Sequence, residues 1–124
     1  MSFESILREI VDHCSGALGA ALMGNDGIPI EQVSSGPLPA GALAEDIGNA
    51  GVEFGRILDE IRKASDALSG GALRETVVVM SRFQLVFRAV DEESFLVLVL
   101  TPDGNLGKAR YLIRSSLDAL QREL

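Results

Sequence analysis

The chain is poor in the residues that build most catalytic and metal sites. Among its 124 residues it has one cysteine, Cys14, one histidine, His13, and no tryptophan. A single cysteine excludes a disulfide within the chain, and a zinc site, which takes four Cys or His ligands, is implausible. His13 and Cys14 are neighbours, and successive helix positions point roughly 100° apart, so they do not form a nucleophile–base pair on a helix.

Basic residues and long apolar runs are also scarce. Lys and Arg number 11 against 18 Asp and Glu, which gives a formal net charge of −7. This balance argues against nucleic-acid binding, which needs a basic surface, and disfavours an anionic membrane. No apolar stretch approaches the roughly 20 residues that span a bilayer, and no basic segment leads into an apolar one at the start. We therefore expect a cytoplasmic protein.

Two segments come close to ligand-binding motifs without meeting their requirements. In residues 104–109, two residues separate the glycines and Ala109 follows Lys108. A phosphate-binding GxxxxGK[ST] loop needs four residues there and a hydroxyl after the lysine. Residues 91–93 carry three carboxylates, whereas calcium needs about six oxygen ligands. We expect neither a cofactor nor a metal, and a solvated turn at 91–93.

The chain does contain a regular succession of amphipathic segments. Apolar residues at helical spacing, with Ser2 as N-cap, predict a first helix over residues 2–14 that ends at Gly16. Apolar runs at 17–23 and 28–34 flank an Asp-Gly turn, which predicts a β-hairpin. A long helix over about 41–68 follows, and its apolar stripe consists of Leu43, Ile47, Phe54, Ile57, Leu58, Ile61 and Leu68. Three strands are predicted after it, at 73–81, 83–90 and 94–101, and a last helix covers 106–124.

This succession predicts a single domain over residues 1–124 with the element order α-β-β-α-β-β-β-α. We expect an α+β fold in which a five-stranded antiparallel sheet lies between one long helix and two terminal helices. No internal repeat, low-complexity tract or linker interrupts it.

Small residues on the long helix and three consecutive valines predict a contact with a second copy of the chain. An interior glycine costs a helix about 1 kcal/mol relative to alanine, so several together need a packing reason. Either a second copy of the helix or close packing on the chain's own sheet supplies one. A valine strand at a sheet edge would pair with its symmetry mate and extend the sheet across a homodimer. The predicted dimer interface is Ala44, Gly48, Gly51, Gly55, Thr76, Val77, Val78 and Val79.

The order of elements and the residues of particular segments resemble the Roadblock (dynein light chain) family. The hairpin at 21–30, in which an acidic-glycine turn precedes an apolar residue and Pro29, is similar to the opening hairpin of that family. Residues 95–110, with Leu106-Gly107-Lys108 after a small polar turn, are similar to its last strand and the start of its final helix. The resemblance covers nearly the whole chain, and within the family it is to small bacterial members of the MglB type.

The resemblance implies a homodimer that binds a small Ras-like GTPase and stimulates its GTP hydrolysis, without being an enzyme itself. The exposed face of the long helix is then the partner-binding surface. It would act by holding the catalytic groups of the GTPase in place, which the resemblance favours, or by inserting an arginine. For any single residue, an ordinary solvated helix face is the alternative. The predicted partner-binding residues are Val52, Arg56, Asp59, Arg62 and Lys63.

Two other functions stay open. One is a scaffold subunit that bridges a larger motility or signalling assembly without activating a GTPase. The other is a small-molecule sensor domain, which the aliphatic, core-like stripes disfavour because a sensor needs a pocket with converging polar groups. Since the chain stops at Leu124, we do not expect an activity that depends on a further C-terminal segment.

Overall fold

The computed structural model describes residues 2–124, and the side chains of all of them except 44 and 45. The five strands are all antiparallel to their neighbours and lie in the order β2-β1-β5-β4-β3. This confirms the predicted element order and sheet. The elements are α1 (Phe3–Asp12), β1 (Ala17–Gly24), β2 (Pro29–Ser34), a 3₁₀ turn (Ala42–Glu45), α2 (Gly48–Ala67), β3 (Glu75–Val79), β4 (Gln84–Ala89), β5 (Ser94–Leu100) and α3 (Leu106–Glu123).

Each face of the sheet carries its own hydrophobic core. In β5, Leu96 and Leu98 belong to the core under α1 and α3, whereas Phe95 and Val97 belong to the core under α2. Successive strand residues point to opposite faces, and here both faces are covered, so the strand is apolar throughout. The long helix thus lies on one side of the sheet and the two terminal helices on the other, as the sequence predicted.

Local hydrogen bonds explain why the first helix and the hairpin were predictable. The Ser2 hydroxyl accepts a hydrogen bond from the Ser5 N–H (3.1 Å), which satisfies a free donor at the start of α1. Gly16, which follows the helix, has a φ of +85°. At the hairpin turn, the Asp26 carboxylate accepts from the Ile28 N–H (3.0 Å). Asp is favoured in such turns because it can make this bond to its own backbone neighbourhood.

The long helix differs from the prediction at its start and along its apolar stripe. It begins at Gly48 rather than near residue 41, because Asp46 is extended and its carboxylate accepts a hydrogen bond from the Gly48 N–H (2.9 Å). A side-chain acceptor there satisfies a donor that has no partner within the helix. The stripe is wrong at two positions, since Ile57 is 50% exposed and Leu68 is 81% exposed.

The position of α2 over the sheet explains those two exposures. Its main contacts are with β1, β2 and β5. A Cβ on Gly48 would lie 2.7 Å from Oε1 of Gln32, so this side of the helix faces β2. Ile57 comes nine residues later, which is about 900° or two and a half turns, and so lies on the opposite side, toward β4 and β3. The α2 side of β3 is therefore left poorly covered.

Within residues 2–124, none of the helices combines the length and the apolar character needed to cross a bilayer.

Candidate interaction surfaces

The two edge strands of the sheet differ in how their outward backbone groups are used. In β2, the hydrogen bond from Ser35 N–H to Leu18 C=O (2.9 Å) continues the ladder with β1. By the alternation of an antiparallel pair, Gln32 and Ser34 then point their backbone groups outward. The Gln32 N–H donates to the Glu31 carboxylate (3.0 Å). The Ser34 C=O accepts from an outside side chain, the guanidinium of Arg8 in α1 (2.8 Å). Side chains thus occupy hydrogen-bonding groups on the β2 edge.

The outer edge of β3 is open. The hydrogen bond from Met80 N–H to Phe83 C=O (2.8 Å) closes the ladder with β4, so the even-numbered residues of β3 face β4. Glu75, Val77 and Val79 therefore point their N–H and C=O groups away from the sheet. Among the described residues, no side chain bonds to these groups. An unpaired row of this kind is the place where another strand can add.

On the α2 side of the sheet, several apolar side chains of β3 and α2 are exposed or half-buried. Val78 pairs with Leu85, a residue of the α2 core, so Val78 and Met80 lie on the α2 face of β3. Ile57 and Leu68 are eleven residues apart, about three helical turns, and so share one side of α2. We call this set the β3 edge surface: the backbone of 75, 77 and 79 with the side chains of Ile57, Leu68, Val78 and Met80.

The dimer interface predicted from the sequence includes the strand residues Thr76, Val77, Val78 and Val79 and does not include Ile57, Leu68 or Met80. Ile57 and Leu68 had been assigned to the buried stripe. In the sequence, Ile57 and Leu68 lie about half a helical turn from Gly48. This spacing predicts their exposure only once it is known that the Gly48 side of α2 faces the sheet.

The glycines of α2 lie apart from the β3 edge surface. A Cβ on Gly51 would lie 2.7 Å from Cγ of Met23, a residue of β1. Close packing on the chain's own sheet, the alternative that the sequence left open, thus accounts for Gly48 and Gly51. Gly55 is seven residues, about 700°, from Gly48 and shares its side of the helix. Apart from its chain neighbours and the backbone of its own helix, no atom lies within 4 Å of a Cβ placed there. The side chain of Ala44, the remaining small residue of that prediction, lies outside the described part.

The predicted partner-binding residues lie on the solvent side of α2, with one exception. Arg62 is half-buried, and its guanidinium donates to the Asp59 carboxylate (2.6 Å) and to the Asn25 side-chain oxygen (3.4 Å). Lys63 pairs with Glu60 (3.2 Å) and stays exposed. Exposed Arg56 has no ion-pair partner among the described residues, and Val52 is exposed beside it. Of the two arginines in that prediction, Arg56 is thus exposed and, within the described residues, unpaired, whereas Arg62 would have to leave two contacts to reach another protein.

An ion-pair cluster holds the edge strand from the other face. Two nitrogens of Arg110, on α3, donate to one carboxylate oxygen of Glu75 at 2.9 and 2.6 Å. These contacts raise the pKa of the Arg110 guanidinium above its ordinary value. Arg88, on β4, approaches the other oxygen of Glu75 at 3.9 Å, and its buried Nε has no hydrogen-bond partner. The cluster ties β3 to α3 on the face that α2 does not cover.

No group of three or more His, Cys, Asp or Glu side chains in the described part of the chain is arranged to hold a metal ion. Cys14 is buried, and its burial raises the pKa of the thiol despite the opposing effect of Lys108. His13 contacts the backbone carbonyl of Glu9 through Nδ1 (2.8 Å).

The sheet with one long helix on one face, two terminal helices on the other and an open β3 edge defines a domain of the Roadblock type. Over 100% of both chains the sequence is 34% identical to MglC from Myxococcus xanthus, and the two structures superpose with a TM-score of 0.70. The chain belongs to the Roadblock/LC7 family. The predicted resemblance to bacterial MglB-like members is thereby confirmed.

More distant solved structures share the fold. The gliding protein MglB from Thermus thermophilus is 20% identical with a TM-score of 0.81, covering 97% of this chain and 86% of its own. A Roadblock/LC7 domain from Streptomyces avermitilis is 13% identical with a TM-score of 0.81, covering 98% and 97%. No family model matches the chain, and no curated protein matches it.

Proposed function

We propose that this chain is a cytoplasmic homodimer that regulates or scaffolds a small Ras-like GTPase and has no active site of its own. The observation that carries the proposal is the open edge of β3 beside the exposed side chain of Ile57. A strand edge and apolar side chains that are left uncovered together are suited to a second copy of the same surface. Membership of the Roadblock/LC7 family and similarity to MglC support a regulatory role.

The outward groups of β3 suggest the register of the dimer. Glu75, Val77 and Val79 are the three residues that point N–H and C=O outward, and Val77 is the middle one. In an antiparallel pair with two-fold symmetry, Val77 would lie opposite its own copy, and Glu75 opposite Val79 of the second copy. The two five-stranded sheets would form one continuous sheet. Ile57 of each copy would approach the two-fold axis.

The same dimer would place two α2 helices on one face of the joined sheet, as a platform for the GTPase. The outer faces of these helices carry both signs of charge and the exposed side chain of Val52. Insertion of Arg62 into the GTPase would break its contacts to Asp59 and Asn25. Stimulation by holding the catalytic groups of the GTPase in place needs no such rearrangement, and we favour it.

The test is GTP hydrolysis by a Ras-like GTPase encoded in the same genome, with and without saturating protein, with complex formation recorded in the same samples. Faster hydrolysis in a complex indicates an activator, and a complex without acceleration indicates a scaffold. Absence of a complex overturns the GTPase proposal. If the protein acts by positioning, Arg56→Ala keeps the acceleration of a bound GTPase, as does the control Arg114→Ala on α3. A loss with Arg56→Ala alone would mean that this arginine is inserted.

A further inference from the structure

A groove separate from the β3 edge surface lies at one end of the sheet. The β1–β2 turn, the β4–β5 turn and the C-terminal turn of α3 form its walls, and it encloses about 1120 Å³. Two isoleucines line it, Ile28 at 63% exposure and Ile30 at 44%. Ile30 lies at the irregularity where the register between β1 and β2 shifts. Large apolar side chains that share an exposed concave surface mark binding sites more often than isolated ones do.

Carboxylates surround this apolar floor. Asp26, Asp91, Glu92 and Glu93 line the groove and are exposed, whereas none of the described residues that line it is a Lys or Arg. Arg62 reaches Asn25 from α2, but Asp59 already pairs with it. The groove therefore presents negative charge around apolar surface, and such a surface attracts cations and rejects acidic partners.

Hydrogen bonds between the walls hold the groove open. Asn25 donates from its backbone N–H to Glu93 C=O (2.8 Å) and from its side chain to Glu92 C=O (2.9 Å). On the other side, the Gln121 side chain of α3 donates to Val90 C=O (2.7 Å). All three walls are thus joined through backbone carbonyls of the β4–β5 turn. A preformed site loses less conformational entropy when it binds a partner.

We propose that this groove docks a basic, apolar segment of another protein, with aliphatic side chains on Ile28 and Ile30 and Lys or Arg side chains against the carboxylates. The groove is open to solvent and so would leave much of a small molecule uncovered, which favours a peptide segment. The groove adjoins α2 at Asn25, which accepts a hydrogen bond from Arg62 (3.4 Å), but none of the described residues of α2 lines it. It does not depend on the GTPase proposal, and a chain with both surfaces could hold a GTPase and a basic partner together.

The experiment measures fluorescence anisotropy of a labelled synthetic peptide in which leucines and lysines alternate at helical spacing, mixed with the full chain. The comparison peptide has glutamate in place of every lysine. We expect the lysine peptide to bind, with an affinity that falls as salt rises, and the glutamate peptide not to bind. Glu92→Lys with Glu93→Lys, and separately Ile28→Ser, should each weaken binding by about tenfold or more.

A matched control separates the groove from the overall charge of the chain. Glu9→Lys with Asp12→Lys changes the net charge by the same amount on the exposed side of α1, and neither residue lines the groove. This variant should bind the lysine peptide within about twofold of the unmodified chain. An equal loss in both charge variants, no loss with Ile28→Ser, or tight binding of the glutamate peptide would overturn the proposal. Far-ultraviolet circular dichroism of each variant checks that it is folded.

Discussion

Gly51 of α2 lies directly against Met23 of β1, and a Cβ on the glycine would be 2.7 Å from Cγ and 2.8 Å from Cε of the methionine. Met23 is fully buried, so it has little room to move. We expect Gly51→Ala to lower the free energy of unfolding by about 1–3 kcal/mol, because overpacking outweighs the better helix propensity of alanine. Urea unfolding followed by circular dichroism measures the change.

Gly55→Ala is the matched substitution one turn later, and the opposite sign is expected. Outside its own stretch of helix, no atom lies within 4 Å of a Cβ there, so the gain in helix propensity, up to about 1 kcal/mol, meets no clash with the sheet. Sedimentation of the same variant should show an unchanged oligomeric state, since Gly55 faces away from the β3 edge surface. A weakened dimer would instead place the contact between copies at the glycines.

Val77→Pro should prevent self-association without unfolding the chain. The Val77 N–H points outward and takes no part in the pairing with β4, so proline removes only the donor that a second copy would use. Val78→Pro removes a donor to β4 and should destabilise the fold. Light scattering after size exclusion, over a range of concentrations, reports the mass. A Val77→Pro variant that stays dimeric would show that β3 does not form the contact.

Gln84 is expected to be a structural anchor for the turn between β5 and α3. It is 7% exposed, and its amide nitrogen lies 3.1–3.2 Å from the carbonyls of Thr101, Pro102 and Gly104. Gln84→Met removes this donor from all three carbonyls, although that of Thr101 still accepts from the Gly104 N–H (3.0 Å), and should lower the free energy of unfolding by about 1–3 kcal/mol. Gln84→Glu should cost more, since it places a carboxylate against three carbonyl oxygens. Thermal or urea unfolding ranks the stabilities of the unmodified chain and the two variants. Equal stability of the three proteins would contradict this prediction.

Ser94 should control the pKa of Asp91. The Ser94 hydroxyl donates to the Asp91 carboxylate (2.7 Å), and this bond holds the pKa of the carboxyl below its ordinary value, with further help from the Glu93 N–H. We expect Ser94→Ala to raise the pKa of Asp91 in an NMR titration of its carboxyl carbon. Ser116→Ala, whose hydroxyl bonds within α3, is the control and should leave it unchanged.

The lowered pKa of Asp91 also determines how the stability of the chain changes with pH. Because the pKa of Asp91 is lower in the folded chain, its contribution to stability is complete above the ordinary carboxyl pKa of about 3.9 and is lost as the pH falls through the folded value. The Ser94→Ala variant should therefore show less loss of stability over that acid range than the unmodified chain. An identical pH dependence would mean that the bond does not persist in solution.

Cys14 should react slowly with thiol reagents in the folded chain. It is 5% exposed, and the raised pKa of its thiol reduces the fraction of thiolate at any given pH. A variant with Cys14→Ser and Ser115→Cys moves the single thiol to an exposed position of α3. We expect its modification by a disulfide reagent to be at least about tenfold faster, and the difference should vanish in denaturant. Equal rates in the folded state would contradict the packing of Cys14.

Features that depend on neighbouring residues were predictable from the sequence. Ser2 and the Asn-Asp-Gly turn act through hydrogen bonds to residues two or three positions away, and the strands of the two cores are recognisable from their own apolar content. The exposure of Ile57 was not predictable, because it depends on how far α2 reaches across the sheet. Glu75 with its two arginines was likewise missed, since the three residues come from three separate elements. Tertiary position, rather than local preference, decides both.

The difference between the two edge strands limits how many chains can join by strand pairing. Arg8 and Glu31 occupy backbone groups along β2, while those of β3 are open. If β3 pairs with its own copy, that pairing uses the open edge of both chains, and the outermost strand at each end is then β2, where the Gln32 N–H and the Ser34 C=O are already bonded to side chains. Strand addition would therefore be disfavoured beyond the dimer, because β3 would be paired and side chains would cover part of the β2 edge, which protects against fibre formation.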